Sequence, residues 1–311
     1  IVFETNAGTV QGYTKFYITG SYRAAIPAVK EANSGSIFVT HIDSGSLWWT
    51  GIALLNTTAG AKTLTVTFNN GQVRSVTLAA NEQRVYEISR DFFDGQLQPG
   101  IRSAVIANAV GVIGLEIFGS PAGNQMDGIL ITGNTASTIY YPHVAGGEWW
   151  TGVVAYNPSA SADTITVTCY DADGNLLPSS SVPPLPGNGK YIGTFAALGL
   201  PANTAWFKID STTPITGFEL FGTADGKELA AYGGGEGTGA KTGVFAKIEK
   251  NGGSTVIAFV NTEASPAAVT LTAYRDDGSV AATKSLPPVG GHAKVLNSPE
   301  LLFAPQDISS A

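Results

Sequence analysis

Two pairs of adjacent tryptophans are the residues of this chain best suited to binding chemistry. The pairs are Trp48–Trp49 and Trp149–Trp150, and they account for four of the five tryptophans. Because neighbouring residues on a strand point to opposite faces, one member of each pair faces away from the core. Trp48 and Trp149 are the members that face away and are the candidates for exposure, since exposed aromatic rings contact sugars or protein partners. The structural alternative is burial against the adjoining part of the chain.

The other member of each pair is predicted to be structural. Trp49 shares its strand face with Gly51, and Trp150 shares its face with Gly152. In a third, related segment, serine replaces the tryptophan and valine replaces the glycine, so the two changes together conserve side-chain volume. We therefore predict that the rings of Trp49 and Trp150 lie over the glycines and are largely buried.

A histidine precedes each tryptophan pair and completes the candidate binding sites. His41 and His143 hold matching positions in the repeated pattern described below. If the two positions belong to different domains, tens of ångströms separate them, and a shared metal site or catalytic pair is disfavoured. The simpler interpretation of each is a histidine at a strand end that hydrogen-bonds locally.

The remaining polar residues predict no reaction chemistry. Glu116 and Glu219 lie alone between apolar neighbours, without the close second carboxylate that acid–base catalysis by a pair requires. The acidic segments 171–175 and 276–278 fit tight hairpin turns, because no distal glutamate follows as in a calcium-binding loop. Cys169 is the only cysteine, which excludes an intrachain disulfide and a cysteine-based zinc site. We predict no enzyme, no cofactor and no metal.

Composition narrows the class of protein further. The chain has 43% hydrophobic and 13% charged residues, the opposite of the balance in disordered chains. Its net charge is −7 and no basic cluster stands out, which disfavours nucleic acid as a partner. No apolar run reaches the ~18 residues that a membrane-spanning helix needs.

The chain divides into three similar segments. One landmark is an asparagine at the end of an apolar run, with spacings of 101 and 104 residues, and another is a glycine, with spacings of 102 and 103. These landmarks are Asn56, Asn157 and Asn261, and Gly12, Gly114 and Gly217. Regular spacing at two landmarks indicates internal repeats. We predict three domains at 1–102, 103–205 and 206–311.

The pattern inside one segment favours β-structure. In the third segment, about eight short apolar or alternating runs follow one another at the 8–12-residue spacing of antiparallel strands. Residues 211–214 predict a turn between two of them, and the only helical turn is expected near 299–303. The fold class is therefore all-β: three tandem antiparallel β-sandwich units of about 103 residues. The alternative is a six-bladed propeller made from three double blades.

The segments 149–158 and 164–174 carry a resemblance. The first reads Trp-Trp-Thr-Gly-Val-Val-Ala-Tyr-Asn-Pro, and the second ends in Tyr-Asp-Ala-Asp-Gly. They resemble tandem immunoglobulin-like modules of bacterial surface and secreted proteins. The resemblance extends over all three segments, is strongest in 143–222 and weakest in 1–36, and implies fold and an extracellular setting rather than a reaction. The third segment lacks both tryptophans, so a shared ligand site is not expected there.

Function follows from repetition without catalytic residues. We expect a non-enzymatic structural or adhesive protein, such as a subunit of a fibre or envelope layer, that is extracellular, on the cell surface or in the periplasm. Its partner would be a second copy or another cell-surface protein. The alternative is a carbohydrate-binding protein that uses Trp48 and Trp149, with His41 and His143 nearby.

The phase of the repeat leaves the role of residues 1–36 open. They belong to a self-contained first unit, they complete the third unit within the chain and make a ring, or they complete a neighbouring chain by strand addition. If residues 1–18 pair only with strands of residues 21–102, the ring and the strand addition are both excluded.

Overall fold

The structure is a computed structural model, and it describes residues 5–6, 10–19, 21–43, 45–96, 98–179, 182–236, 239–249, 255–304 and 307–310. Within these residues there are 21 strands and two short helices, and every ladder between the strands is antiparallel. The predicted all-β class with antiparallel sheets is confirmed.

The first sheet pair contains two four-stranded sheets. The strands are β3 (Ile37–Val39), β4 (Trp49–Asn56), β5 (Lys62–Phe68), β6 (Val73–Leu78), β7 (Gln83–Glu87), β8 (Ala104–Ala107), β9 (Val112–Gly119) and β10 (Met126–Ile131). Their order is β10-β9-β4-β7 in one sheet and β3-β8-β5-β6 in the other. Alternation builds the core: Leu64, Val66 and Phe68 of β5 are buried, with threonines between them. A short helix that the sequence did not predict, α1 (Ile88–Phe92), follows β7.

The second sheet pair is joined by one long strand. Its strands are β11 (Ala136–Tyr141), β12 (Trp149–Tyr156), β13 (Ile165–Tyr170), β14 (Lys190–Thr194), β15 (Trp206–Thr223), β16 (Leu229–Gly233) and β17 (Gly235–Glu236). The first part of β15 pairs with β11 and β13, and its last part pairs with β12 and β16. Cys169 is buried in the core of this pair, as expected of a small apolar residue.

The predicted turn at residues 211–214 is wrong, because β15 continues through it. The carboxylate of Asp163 accepts hydrogen bonds from the backbone N–H of Thr212 at 2.9 Å and the hydroxyl of Thr213 at 2.8 Å. Pro214 lies where the strand passes from one set of neighbours to the other, so its missing N–H interrupts no ladder.

The third sheet pair is smaller. It contains the two-stranded sheets β18 (Ile257–Val260) with β21 (Lys294–Asn297), and β19 (Thr270–Tyr274) with β20 (Val280–Ser285). A buried cluster of six residues lies between them: Ile248, Ile257, Leu271, Ala273, Phe303 and Ile308. The helical turn expected near 299–303 is present as α2 (Pro299–Leu302).

The ladders join residues on both sides of each predicted domain boundary. Strands β3 and β5 pair with β8, across 102/103, and strands β11, β12 and β13 pair with β15, across 205/206. The N-terminal strand β1 (Tyr13–Tyr17) pairs with β2 (Arg23–Pro27), while residues 1–4 and 7–9 lie outside the described residues. Within the described part of residues 1–18, β2 is the only strand that pairs with β1, which favours a self-contained first unit, and Lys15 of β1 also forms an ion pair with Glu249 at 3.4 Å.

The landmark asparagines have one role in all three sheet pairs. The side-chain amide of each donates a hydrogen bond to the carbonyl four residues later, at 2.7 Å, 2.9 Å and 2.8 Å. These residues are Asn56, Asn157 and Asn261. Each is buried, and each fixes the turn that follows its strand.

Candidate functional site

His41 lies where the first and second sheet pairs meet, which we call the first junction. The ammonium of Lys190 donates hydrogen bonds to His41 Nδ1 at 3.0 Å and to the carbonyl of Thr40 at 3.3 Å, and it also contacts the carbonyl of Arg102. Lys190 is the first residue of β14 in the second sheet pair. The contact therefore joins the two sheet pairs, and the two residues are 149 positions apart in the chain. The prediction that His41 hydrogen-bonds locally is therefore wrong: its partner comes from the other sheet pair.

A buried carboxyl group lies behind this contact. Glu116 projects from β9, and its two oxygens accept the backbone N–H groups of Thr40 and His41, both at 3.2 Å. Burial raises the pKa of Glu116 to about 8, although the charge of Lys190 opposes the shift. Burial likewise lowers the pKa of Lys190 to about 7. Desolvation therefore favours the neutral form of both groups, which suits a structural contact inside the protein.

His143 lies at the second junction, between the second and third sheet pairs. There the ammonium of Lys294, at the start of β21, donates to His143 Nδ1 and to the carbonyl of Ala205 at 2.8 Å. Burial lowers the pKa of His143 to about 4, and Lys294 contributes to the shift. Glu219 takes the place of the buried carboxyl; neither oxygen accepts a hydrogen bond of normal geometry from a described residue, although the backbone N–H of His143 is near enough to favour its charged form. Burial holds its pKa well above the ordinary value.

The second junction is closed by stacked rings. The ring of Trp206 is 4.5 Å from that of Tyr170 between centroids, and Tyr170 is 4.7 Å from His292. The indole N–H of Trp206 donates to the carbonyl of His292 at 2.7 Å. Backbone also approaches closely, because a Cβ on Gly174 would lie 2.1 Å from the carbonyl oxygen of Gly291.

The first junction is open at the same place. The strand registers show which residues are equivalent at the two junctions. Val39 pairs with Ala104 in the first sheet pair, and Tyr141 pairs with Phe207 in the second, so Ala104 and Phe207 hold equivalent positions. Ser103 therefore takes the position of Trp206. By the same register Asn69 takes that of Tyr170, and Asn188 that of His292. These small polar residues leave a cleft of about 450 Å³.

The tryptophans line a second, larger groove on the first sheet pair. Trp48 and Trp49 both border a groove of about 670 Å³, together with Tyr86 and Met126. Trp48 is half-buried, because it also packs against an apolar cluster shared with the second sheet pair. Trp149 is half-buried as well, at the start of β12.

The structural tryptophans lie over glycines, as predicted, but two of these glycines were missed. A Cβ on Gly51 would lie 3.3 Å from the ring of Trp49, and one on the cross-strand Gly119 would lie only 2.1 Å from it. Trp150 has the same relation to Gly152 and Gly222. The rings are half-buried rather than largely buried, because the adjacent groove leaves one side of Trp49 open.

The turns that resemble calcium loops are satisfied internally. One carboxylate oxygen of Asp171 accepts the backbone N–H groups of Asp173 at 3.0 Å and Asn175 at 2.9 Å. That geometry belongs to an Asx turn, in which the carboxylate is already occupied. Within the described ranges no group of three or more His, Cys, Asp or Glu side chains could hold a metal ion. Neither described helix is long and apolar enough to cross a membrane.

Sequence reasoning missed the two lysines that hold the junctions. Lys190 and Lys294 are 104 residues apart, and each follows a residue with positive φ, Asn188 or His292, by two positions. Each lysine lies 33 residues after a landmark asparagine, Asn157 or Asn261, and that shared spacing was a usable signal. The arrangement that results is two buried contacts, one open polar cleft and one aromatic groove. No protein-family model matches the chain, and no curated protein sequence matches it.

Proposed function

We propose that this chain is a non-enzymatic structural or adhesive protein, extracellular or on a cell surface, built from three tandem β-sandwich repeats held in fixed orientation. The observation that carries the proposal is the recurrence of one contact. A buried lysine reaches across to a histidine at both junctions, Lys190 to His41 and Lys294 to His143. A contact repeated at successive junctions is what an array of rigidly stacked modules requires.

Further contacts between the first and second sheet pairs support a rigid body. Asp127 accepts the backbone N–H of Ala231 at 2.6 Å, and the amide of Gln125 donates to the carbonyl of Glu228 at 2.7 Å. An apolar cluster lies between the two sheet pairs and is formed by Phe118, Ile129, Val154, Phe218 and Leu229. Buried apolar contacts with satisfied hydrogen bonds oppose independent motion of the two parts.

The sandwich architecture and the setting belong to the same proposal. In each of the first two sheet pairs, the two sheets pack on one common buried core. This arrangement favours sandwiches over the blades of a propeller. The likeness to immunoglobulin-like modules of bacterial surface proteins rests on the motifs at 149–158 and 164–174. A low fraction of charged residues and a lone cysteine accord with a surface location that does not depend on disulfides. The partner we propose is a second copy or another surface protein.

Scattering and imaging of the purified protein test this proposal. We expect small-angle scattering to fit a single rigid particle, and negative-stain images to show one fixed shape or polymers built from it. The double variant Lys190→Met and Lys294→Met should enlarge the radius of gyration, because it removes both contacts. Wild-type particles with many relative orientations of their parts would overturn the proposal.

Carbohydrate binding is the second candidate, and the groove beside Trp48 favours it. Its aromatic wall and volume suit one or two sugar rings, which stack their apolar faces on indoles. We expect Trp48→Ala to abolish binding on a glycan array. Trp149→Ala is the matched control, because Trp149 does not border this groove. Absence of binding by the wild type to every glycan would rule this candidate out.

A further inference from the structure

The cleft at the first junction has the size and lining of a binding site. Its volume of about 450 Å³ lies within the range of small-ligand pockets. Side chains from both sheet pairs form its walls: His41, Asn69, Arg102, Ser103, Asn188 and Lys190. These six are polar, and Gly189 and Ile192 complete the lining, so the cleft differs from the aromatic groove beside Trp48.

The cleft carries positive charge without a matching acid. None of the described residues that line it is acidic. The guanidinium of Arg102 has no hydrogen bond and no ion pair with any described residue, although Arg102 lies close enough to contribute to lowering the pKa of His41 and of Lys190. In a chain of net charge −7, an arginine with no acidic partner is a local exception.

The N–H groups of Lys190 are used in contacts within the protein, whereas those of the Arg102 side chain face the cleft. The Lys190 ammonium has contacts to His41 and to the carbonyls of Thr40 and Arg102, which use its three N–H groups. The backbone of Arg102 is fixed, because its N–H donates to the side-chain oxygen of Asn69 at 2.7 Å. The guanidinium therefore stands free on an anchored backbone, with its five donors available.

We propose that this cleft binds the carboxylate of a monosaccharide-sized acidic ligand, with the Arg102 guanidinium as the bidentate partner of the carboxylate. The planar fork of arginine matches a carboxylate, which accepts two parallel hydrogen bonds. The exposed side chain of Asn188, across the cleft, supplies an amide for a ligand hydroxyl. The cleft volume selects a compact acid such as a uronic acid rather than a polymer segment of several rings.

At the second junction, other residues replace those that form the cleft at the first. Ala205 holds the position equivalent to Arg102, since its carbonyl accepts a hydrogen bond from Lys294 as the carbonyl of Arg102 does from Lys190. Trp206 and His292 fill the space that Ser103 and Asn188 leave open. The chain therefore contains its own control: one junction has the guanidinium and the open space, and the other has neither. The proposal is independent of the scaffold role and of the Trp48 groove.

Titration calorimetry of the full chain with glucuronate at low ionic strength tests the proposal. We expect saturable binding that weakens as salt is added, because the contact is ionic. Glucose, which has the same ring without the carboxylate, should not bind. Arg102→Gln should weaken glucuronate binding at least about tenfold. Asn188→His, which copies the second junction and fills the cleft, should also abolish binding while the charge of Arg102 remains.

Three outcomes would overturn the proposal. The first is no saturable binding of glucuronate by the wild type, and the second is equal binding by wild type and Arg102→Gln. The third is acetate binding as tightly as glucuronate, which would contradict a ligand of monosaccharide size. Unchanged unfolding midpoints of both variants show that the fold is retained, and binding that survives in Trp48→Ala separates this site from the aromatic groove.

Discussion

The two junctions hold the same lysine–histidine contact, yet only the second is closed around it. At the second junction Trp206, Tyr170 and His292 stack, and the turn at Gly174 touches the opposite backbone. At the first junction the matching turn glycine, Gly71, has nothing within 4 Å of where its Cβ would be. The contact that sets orientation is thus separable from the residues around it. Those residues decide whether a junction is packed core or open cleft.

The second carboxyl position shows a related difference. Glu116 accepts two backbone N–H groups at 3.2 Å, whereas Glu219 accepts no hydrogen bond of normal geometry from a described residue and has only the nearby backbone N–H of His143 to favour its charged form. A buried acid with fewer donors keeps its proton more readily, and the neutral form costs less to bury. The two junctions therefore differ in electrostatics as well as in packing.

Removing the stacked indole should have the largest effect. Trp206 is only 1% exposed, so Trp206→Ala empties a large buried site and loses the hydrogen bond to His292. We expect a loss of about 3–5 kcal/mol in the free energy of unfolding, measured by chemical denaturation. Ser103→Ala, at the matching position, should cost about 1 kcal/mol. Similar costs for the two variants would contradict the comparison.

A pair of glycine substitutions isolates close packing at the second junction. Gly71 and Gly174 have similar positive φ angles, +84° and +90°, so alanine costs both sites about 1–2 kcal/mol of backbone strain. Gly174→Ala adds a clash with Gly291, worth a further ~1–3 kcal/mol. Thermal unfolding of both variants measures the difference. An equal shift in Tm would mean that the second junction is as open as the first.

Glu219 makes the second junction sensitive to pH. Its native pKa is raised, so the native state keeps a proton that the unfolded carboxyl loses above its ordinary pKa of 4.5. The stabilisation is complete below pH 4.5 and declines as pH rises, by up to about 1.4 kcal/mol per pH unit.

Glu219→Gln should flatten this dependence, since an amide has no proton to lose. We expect the variant to gain up to about 2.8 kcal/mol on the wild type between pH 5 and pH 7, in denaturation curves at each pH. Glu116→Gln should gain less, because an amide oxygen cannot replace both acceptors. Parallel pH profiles for wild type and Glu219→Gln would show that the carboxyl is ionised in the native state.

Replacing the free arginine should have the smallest effect on stability. Arg102→Ala copies Ala205 of the second junction, and the guanidinium has no partner among the described residues. We expect a change within about 0.5 kcal/mol in the free energy of unfolding, the usual range for an exposed side chain. A loss above ~1 kcal/mol would show that Arg102 stabilises the junction itself.

The sequence by itself determined the local elements, because period-2 alternation and glycine turns act over a few residues. The alternating runs of the third segment predicted strands such as β19, and the paired changes at Trp49 and Gly51 predicted a ring over a glycine. The acidic turn at Asp171 was predicted as a turn for the same local reason. The short helix α1 was missed, since its N-cap is a glutamate rather than a preferred cap residue.

Only the tertiary structure decided which distant residues meet. The partner of His41 is 149 residues away, and no local pattern encodes a contact between two sheet pairs. The continuation of β15 through residues 211–214 depends on Asp163, about 50 positions earlier, which holds the threonines of that segment. The cleft and the stacked rings likewise follow from strand register, which places Ser103 at the first junction and Trp206 at the equivalent position of the second. The small serine leaves a cleft at the first junction, whereas the large indole fills the same space at the second.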